Sequence, residues 1–143
     1  MKGGNPSGHS VVQRLEFWKA ALQIIKENPL LGVGTGDVKN AFEDQYTKMN
    51  SPLAKEWRLR SPNQFLAITV AFGFIGLILF LITLIFPLIA DKNFNTYLYL
   101  MFFVIGFLSM ISEDTLETQA GVTFFAFFNS LLLFLHKDKL QIK

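Results

Sequence analysis

Gln64 to Ala90, QFLAITVAFGFIGLILFLITLIFPLIA, is a stretch without a single charged residue. An apolar run of about 18 residues or more is the signature of a helix that crosses a membrane. Two further uncharged runs follow, Asn93–Ser112 and Thr118–His136. Each is close to the lower limit for a span and uses flanking polar residues to complete it. A soluble all-α core could hold one such helix, but three in succession leave no polar face. The reading is an all-α, polytopic membrane protein. Residues 1–63 form a helical extracytoplasmic segment; transmembrane helices follow at 64–90, 96–112 and 118–136, and residues 137–143 form a tail.

Composition agrees. The 143 residues are 51% hydrophobic and only 17% charged, against about 25% charged in soluble domains. Cysteine is absent, which excludes disulfides and thiolate-bound zinc. A net charge of +2 is too mild to argue for nucleic acid, and no cofactor or metal site is expected.

The loops set the topology. Basic residues favour the cytoplasm, so the Lys92 turn and the tail with Lys137, Lys139 and Lys143 go inside. The acidic loop with Glu113, Asp114 and Glu117, and all of residues 1–63, then face outward. Nine Lys/Arg in 1–63 oppose a simple count, but long loops escape the rule. Residues 1–10 lack the apolar core of a signal peptide. An outward segment with no membrane helix before it reads as the carboxy-terminal part of a longer polytopic protein whose N-terminal transmembrane helices are missing.

Within 1–63, Ser10-Val-Val-Gln13 has the form of a capping box and opens a helix that Asn28-Pro29 ends near Glu27. A helical projection gives a polar arc of Gln13, Glu16, Lys19, Gln23, Lys26 and Glu27. Phe17, Ala21, Ile25, Trp18, Val11, Leu22 and Leu15 form the apolar arc, with Arg14 in its middle. A guanidinium there either snorkels to water at an interface or meets an anion. Gly32-x-Gly34-x-Gly36 is a flexible turn or a phosphate cradle, and is not the dinucleotide fingerprint. Thr35 or Asp37 caps a helix over about 38–49 with Val38, Phe42 and Tyr46 along one side. Ser51-Pro52 signals a third short helix carrying Lys55, Trp57, Arg58 and Arg60. It is an interfacial helix or a basic patch for an anionic lipid-linked ligand.

Ser61-Pro62-Asn63-Gln64 repeats the start signal, with Ser61 as the cap. A helix over 62–90 would be about 43 Å long, against a hydrocarbon core of about 30 Å. Its first turns should stand above the bilayer, with Asn63 and Gln64 at the mouth. Gly73 and Gly76 should permit close helix packing, and Asn129 should make an interhelical hydrogen bond. His9 and His136 lie at opposite ends of the chain and form no nucleophile–base pair.

Four motifs come in order: Arg14-x-x-x-Trp18-x-x-Ala21, Ile25-Lys-Glu-Asn-Pro-Leu-Leu-Gly-Val-Gly-Thr-Gly36, Arg60-Ser-x-Asn63-Gln64-Phe65-Leu66 and Phe72-Gly73-x-x-Gly76-Leu77. This order resembles the O-antigen ligase and polymerase superfamily of bacterial envelope glycosyltransferases. The resemblance implies a GT-C-like, multi-pass inner-membrane protein, with residues 1–63 in the periplasm and the C-terminus in the cytoplasm. It implies transfer of a glycan from an undecaprenyl-diphosphate carrier to lipid A–core, a polymer or a protein, without nucleotide sugar or metal. The partners implied are the lipid-linked glycan, a lipid or glycan acceptor, and membrane lipids.

By the same resemblance Arg14 holds the carrier diphosphate and Arg60 is a second basic position. Arg58, Asn63 and Gln64 complete the expected substrate-binding set. One departure stands out. The family motif reads Arg-Ser-His-Asn, and its histidine is proposed to activate the acceptor; here that position is Pro62. The catalytic residue is therefore unassigned. The competing reading is a non-catalytic small membrane protein, or a remnant of a disrupted transferase gene.

Overall fold

The structure is a computed structural model that describes residues 10–90 and 97–141. Expectations for His9, for the Asp91–Asn93 turn and for Lys143 lie outside the described residues, as do those for the side chains of Ser10, His136, Lys137 and Lys139. The described residues form five α-helices and no strand: α1 (Ser10–Glu27), α2 (Val38–Lys48), α3 (Gln64–Ala90), α4 (Tyr97–Ser112) and α5 (Gln119–Gln141). The chain divides into two units, Met1–Ile78 and Leu79–Lys143.

The first unit is built on α1 and α2. Phe17, Ala20, Ala21, Ile24 and Ile25 of α1 meet Phe42 and Tyr46 of α2, with Leu53 and Val70 closing the core. Small residues at Ala20 and Ala21 let the helices approach, and the amides of Gln45 and Gln23 join across the seam. The buried stripe is rotated from the expected arc. Val11, Leu15, Trp18 and Leu22 are exposed, while Glu16 is buried, its carboxylate 2.8 Å from Lys19 Nζ and accepting from Ser51 Oγ. The short helix expected from Ser51-Pro52 is not an α-helix. A single 3₁₀ turn, Lys55–Trp57, is all that forms. Ser51 Oγ accepts the Leu53 N–H and the Arg58 Nε donates to the Leu53 carbonyl, so this segment folds back instead of continuing as a helix.

The start of α3 also differs from expectation. Its cap is Asn63, whose Oδ1 accepts the Leu66 N–H at 2.9 Å. Ser61 makes no such bond, and its Oγ is buried without a partner. The helix is broken at Gly73, where φ is 66° and ψ −167°. The loop after α1 fills the break. Phe74 N–H donates to the Pro29 carbonyl (2.8 Å) and Ile75 N–H to the Leu30 carbonyl (3.4 Å). In return the Val70 carbonyl accepts from Val33 N–H and the Ala71 carbonyl from Gly34 N–H, both at 2.9 Å. Groups orphaned by the break are thus paired, as buried backbone requires. Gly73 therefore serves as the site of the break and does not simply allow two helices to pack closely.

In the second unit, α4 and α5 pack through aromatic rings. Phe102 lies 5.5 Å from Phe125 and 6.2 Å from Phe128, centroid to centroid. Tyr99 Oη donates to Asn129 Oδ1 at 2.8 Å, so Asn129 makes the interhelical bond expected of it. Within α3, Gln64–Ile89 is long and apolar enough to cross a membrane; among the described residues, the apolar stretches Tyr97–Ser112 and Gln119–Phe134 fall short of the about 18 residues of a full span.

The glycines of the loop–helix contact give a graded test. A Cβ on Gly32 would lie 2.5 Å from the Ala71 carbonyl carbon, and one on Gly73 would lie 2.2 Å from the Leu30 oxygen; both residues have positive φ. Gly34 has positive φ but open space, and Gly36 has neither constraint. Gly32→Ala and Gly73→Ala should each lose more than about 2 kcal/mol, Gly34→Ala about 1 kcal/mol, and Gly36→Ala almost nothing. Thermal unfolding of the four variants in detergent checks the order, and an equal loss at Gly36 and Gly32 would refute it.

Candidate functional site

The loop that fills the α3 break continues directly into a cleft. Thr35, Gly36 and the exposed Lys39 form one rim, Val38 and Phe42 of α2 form the floor, and Arg58, Leu59 and Arg60 form the other rim. Its volume is about 400 Å³, within the range of small-molecule sites. Three cations, Lys39, Arg58 and Arg60, line the cleft together with the apolar Val38 and Phe42 at its base and Leu59 at its rim. Asp37 is the cap position of α2, as expected, but its side chain makes no cap hydrogen bond.

The basic rim is held from beneath. Tyr46 is fully buried, and its hydroxyl donates to the Leu59 carbonyl at 2.5 Å. Its ring lies 6.0 Å from Phe42, the cleft floor. Arg58 is anchored at the Leu53 carbonyl (3.2 Å) and lies near Thr47 Oγ1 (3.5 Å). It also lines a second, more polar cleft of about 290 Å³ with Glu43, Asp44, Thr47 and Lys55. Arg58 thus fixes the turn as well as contributing charge, whereas Lys39 and Arg60 are exposed at the rim. Burial pushes the Tyr46 phenol well above its ordinary value. The Glu16 carboxylate adds to the rise, and Arg58 opposes it.

The expected site residues separate into groups. Arg58 and Arg60 meet in the cleft. Arg14 is half-buried on α1 and is not among the residues lining it. Asn63 and Gln64 are buried at the start of α3, where Asn63 spends its carbonyl oxygen on the helix cap. Lys39, Thr35 and Phe42 were not singled out as binding residues. The signal for them was the Gly34-Thr-Gly36 turn immediately ahead of a helix whose second residue is Lys39.

The sequence model described as O-antigen ligase matches residues 4–81. The chain belongs to the O-antigen ligase family. The matched region takes in both rims of the cleft, the α3 break and almost all of the first unit. No curated protein and no solved structure matches the chain. Family membership, with the long apolar α3, makes this O-antigen ligase family member a membrane protein.

Tyr46 sets a pH test of the rim. Below pH 10 the phenol is protonated in both folded and unfolded chains. Above pH 10 the unfolded chain loses that proton while folded Tyr46 keeps it, so Tyr46 stabilises the fold less as pH rises. Tyr46→Phe should cost about 1 kcal/mol at neutral pH through the lost hydrogen bond and should flatten the alkaline decline. Denaturant unfolding across the alkaline range measures both, and an unchanged slope would refute the assignment.

Proposed function

We propose that the chain takes part in transferring a glycan from an undecaprenyl-diphosphate carrier to an acceptor during assembly of O-antigen or a related surface polysaccharide, as the carboxy-terminal part of the transferase. Family membership supports glycan transfer of this type. The observation that carries the reading is the cleft with Lys39, Arg58 and Arg60 around an apolar base. Cations at its rims suit a diphosphate, because guanidinium groups bind phosphate through paired, charge-assisted hydrogen bonds. The apolar base suits the flat face of a sugar or the first isoprene of a lipid.

In this reading the two arginines divide the work. Arg60 and Lys39 neutralise the diphosphate, and Arg58 holds the rim in shape while adding its charge. Arg14 serves a separate point on α1, away from the cleft lining. The reacting bond joins the anomeric carbon to the carrier diphosphate. Its cleavage leaves negative charge on the phosphate, so cations placed there stabilise the leaving group more in the transition state than before it. The chain resides in the bacterial inner membrane, with the cleft on the periplasmic side.

A second reading, a non-catalytic family member, is favoured by Pro62, which stands where the family resemblance places a histidine. The two separate on mutation of the cleft. In cells whose chromosomal copy carries Arg60→Ala or Lys39→Ala, glycan transfer to the acceptor should fall about 10- to 100-fold, the value of one charge-assisted hydrogen bond. Polysaccharide ladders on gels and transfer from defined lipid-linked glycan in isolated membranes provide the measurement. Unchanged transfer in both variants, with the protein present at wild-type level, would leave the non-catalytic reading standing.

A further inference from the structure

Leu30 and Leu31 are 65% and 74% exposed, yet the loop that carries them is tied to α3 by backbone hydrogen bonds. The Pro29 and Leu30 carbonyls accept from Phe74 and Ile75; the amides of Gly32, Val33 and Gly34 donate to Asn28, Val70 and Ala71. Pro29 has no amide to satisfy. The segment from Asn28 to Gly36 carries no charge. An uncharged loop with much of its backbone tied to α3 and two bare leucines at its tip suits the interfacial layer, where the leucine side chains meet acyl chains while backbone groups still reach water.

The place of the loop along α3 supplies the rest of the argument. Its hydrogen bonds join α3 at Val70–Ala71 and Phe74–Ile75, on both sides of the Gly73 break. Before the break, Thr69, Val70 and Ala71 are buried in the first unit, and Phe72, next to the break, is the first of the large exposed apolar residues of α3. After it, Phe74, Ile75 and Ile78 are large, apolar and exposed. From Phe74 to Ala90 the helix rises about 25 Å, close to the hydrocarbon thickness that the whole of α3 overshoots. The break therefore marks the level at which α3 passes from protein surroundings to apolar surroundings, and the leucines are tethered at that level.

We infer that the Leu30–Leu31 tip inserts into the boundary between headgroups and acyl chains, and that the bilayer surface lies at the Gly73 break. The partner is the lipid surface itself. The contact holds the first unit, and so its basic cleft, at a fixed height above the membrane. This inference rests on the membrane character of the chain and not on the proposed glycan transfer.

The absence of cysteine allows a direct test in the otherwise unaltered full chain. Leu31→Cys and, as a control on exposed α1 surface, Lys26→Cys are labelled with an environment-sensitive fluorophore and reconstituted into phosphatidylglycerol–phosphatidylethanolamine vesicles. The label at 31 should emit at shorter wavelength than that at 26. It should be quenched strongly by nitroxide carried high on the lipid acyl chain and weakly by aqueous iodide, with the reverse order at 26. Quenching at 31 by iodide and not by lipid nitroxide would overturn the inference. Protection from both quenchers would also overturn it, by showing that protein and not lipid covers the tip. Circular dichroism matching the unlabelled chain confirms that each variant is folded.

Discussion

The first unit depends on an exchange of backbone hydrogen bonds between the Pro29–Gly34 loop and the broken turn of α3. A helix interrupted in its middle exposes carbonyls on one side of the break and amides on the other. Here both sets are satisfied by one loop, which accepts from Phe74 and Ile75 and donates to Val70 and Ala71. The contact is backbone against backbone, so it tolerates no side chain at its centre. Gly32 and Gly73 occupy those two positions, each in the left-handed region of φ that only glycine adopts at little cost.

This exchange determines where the cleft lies. The loop leaves α3 at Gly34 and turns through Thr35 and Gly36 into α2, so the cleft's first rim is set by the same bonds that repair the helix. The second rim is set by α2 itself, because Tyr46 reaches from the core to the Leu59 carbonyl between the two arginines. Both rims are fixed through main-chain atoms. Lys39 and Arg60 remain exposed at the edge, where charged side chains can follow a ligand without disturbing the packing beneath.

The sequence shows the elements more clearly than their partners. Proline after Asn28, the charge-free run from Gln64 and the spacing of Phe42 and Tyr46 announce α1, α3 and α2, because each is a local signal. The buried face of α1 was only half legible. Trp18 and Leu22 continue the apolar arc on a helical projection, but the core takes the side centred on Ala20, Ala21 and Ile24. Hydrophobicity says which residues could be buried; the small side chains decide where another helix can come close. The Ser51-Pro52 helix failed for a related reason. Its start signal was present, but Ser51 and Arg58 found closer partners in the turn itself. In the cleft, Arg58 and Arg60 were visible as a basic pair, whereas Lys39 joins them only through the tertiary placement of α2. The break at Gly73 was not visible, since a glycine inside an apolar run reads equally as a packing residue.

Pro62 can be understood from the same geometry. It stands between Arg60 at the cleft rim and Asn63 at the cap of α3. The residues around it have structural duties: Ser61 is buried, Asn63 caps the helix and Gln64 begins it. A proline at 62 fixes φ and favours extended backbone in the residue before it, which suits a segment that must leave the rim and enter a helix. It carries no group that accepts or donates a proton. On the proposed reading, binding the carrier and activating the acceptor are therefore separable in this chain. The cations that would hold a diphosphate are set by Tyr46, Leu53 and the start of α2, none of which involves position 62. Any proton transfer to or from the acceptor must come from a group outside the Arg60–Gln64 motif, because its remaining polar side chains are a guanidinium, a hydroxyl and two amides.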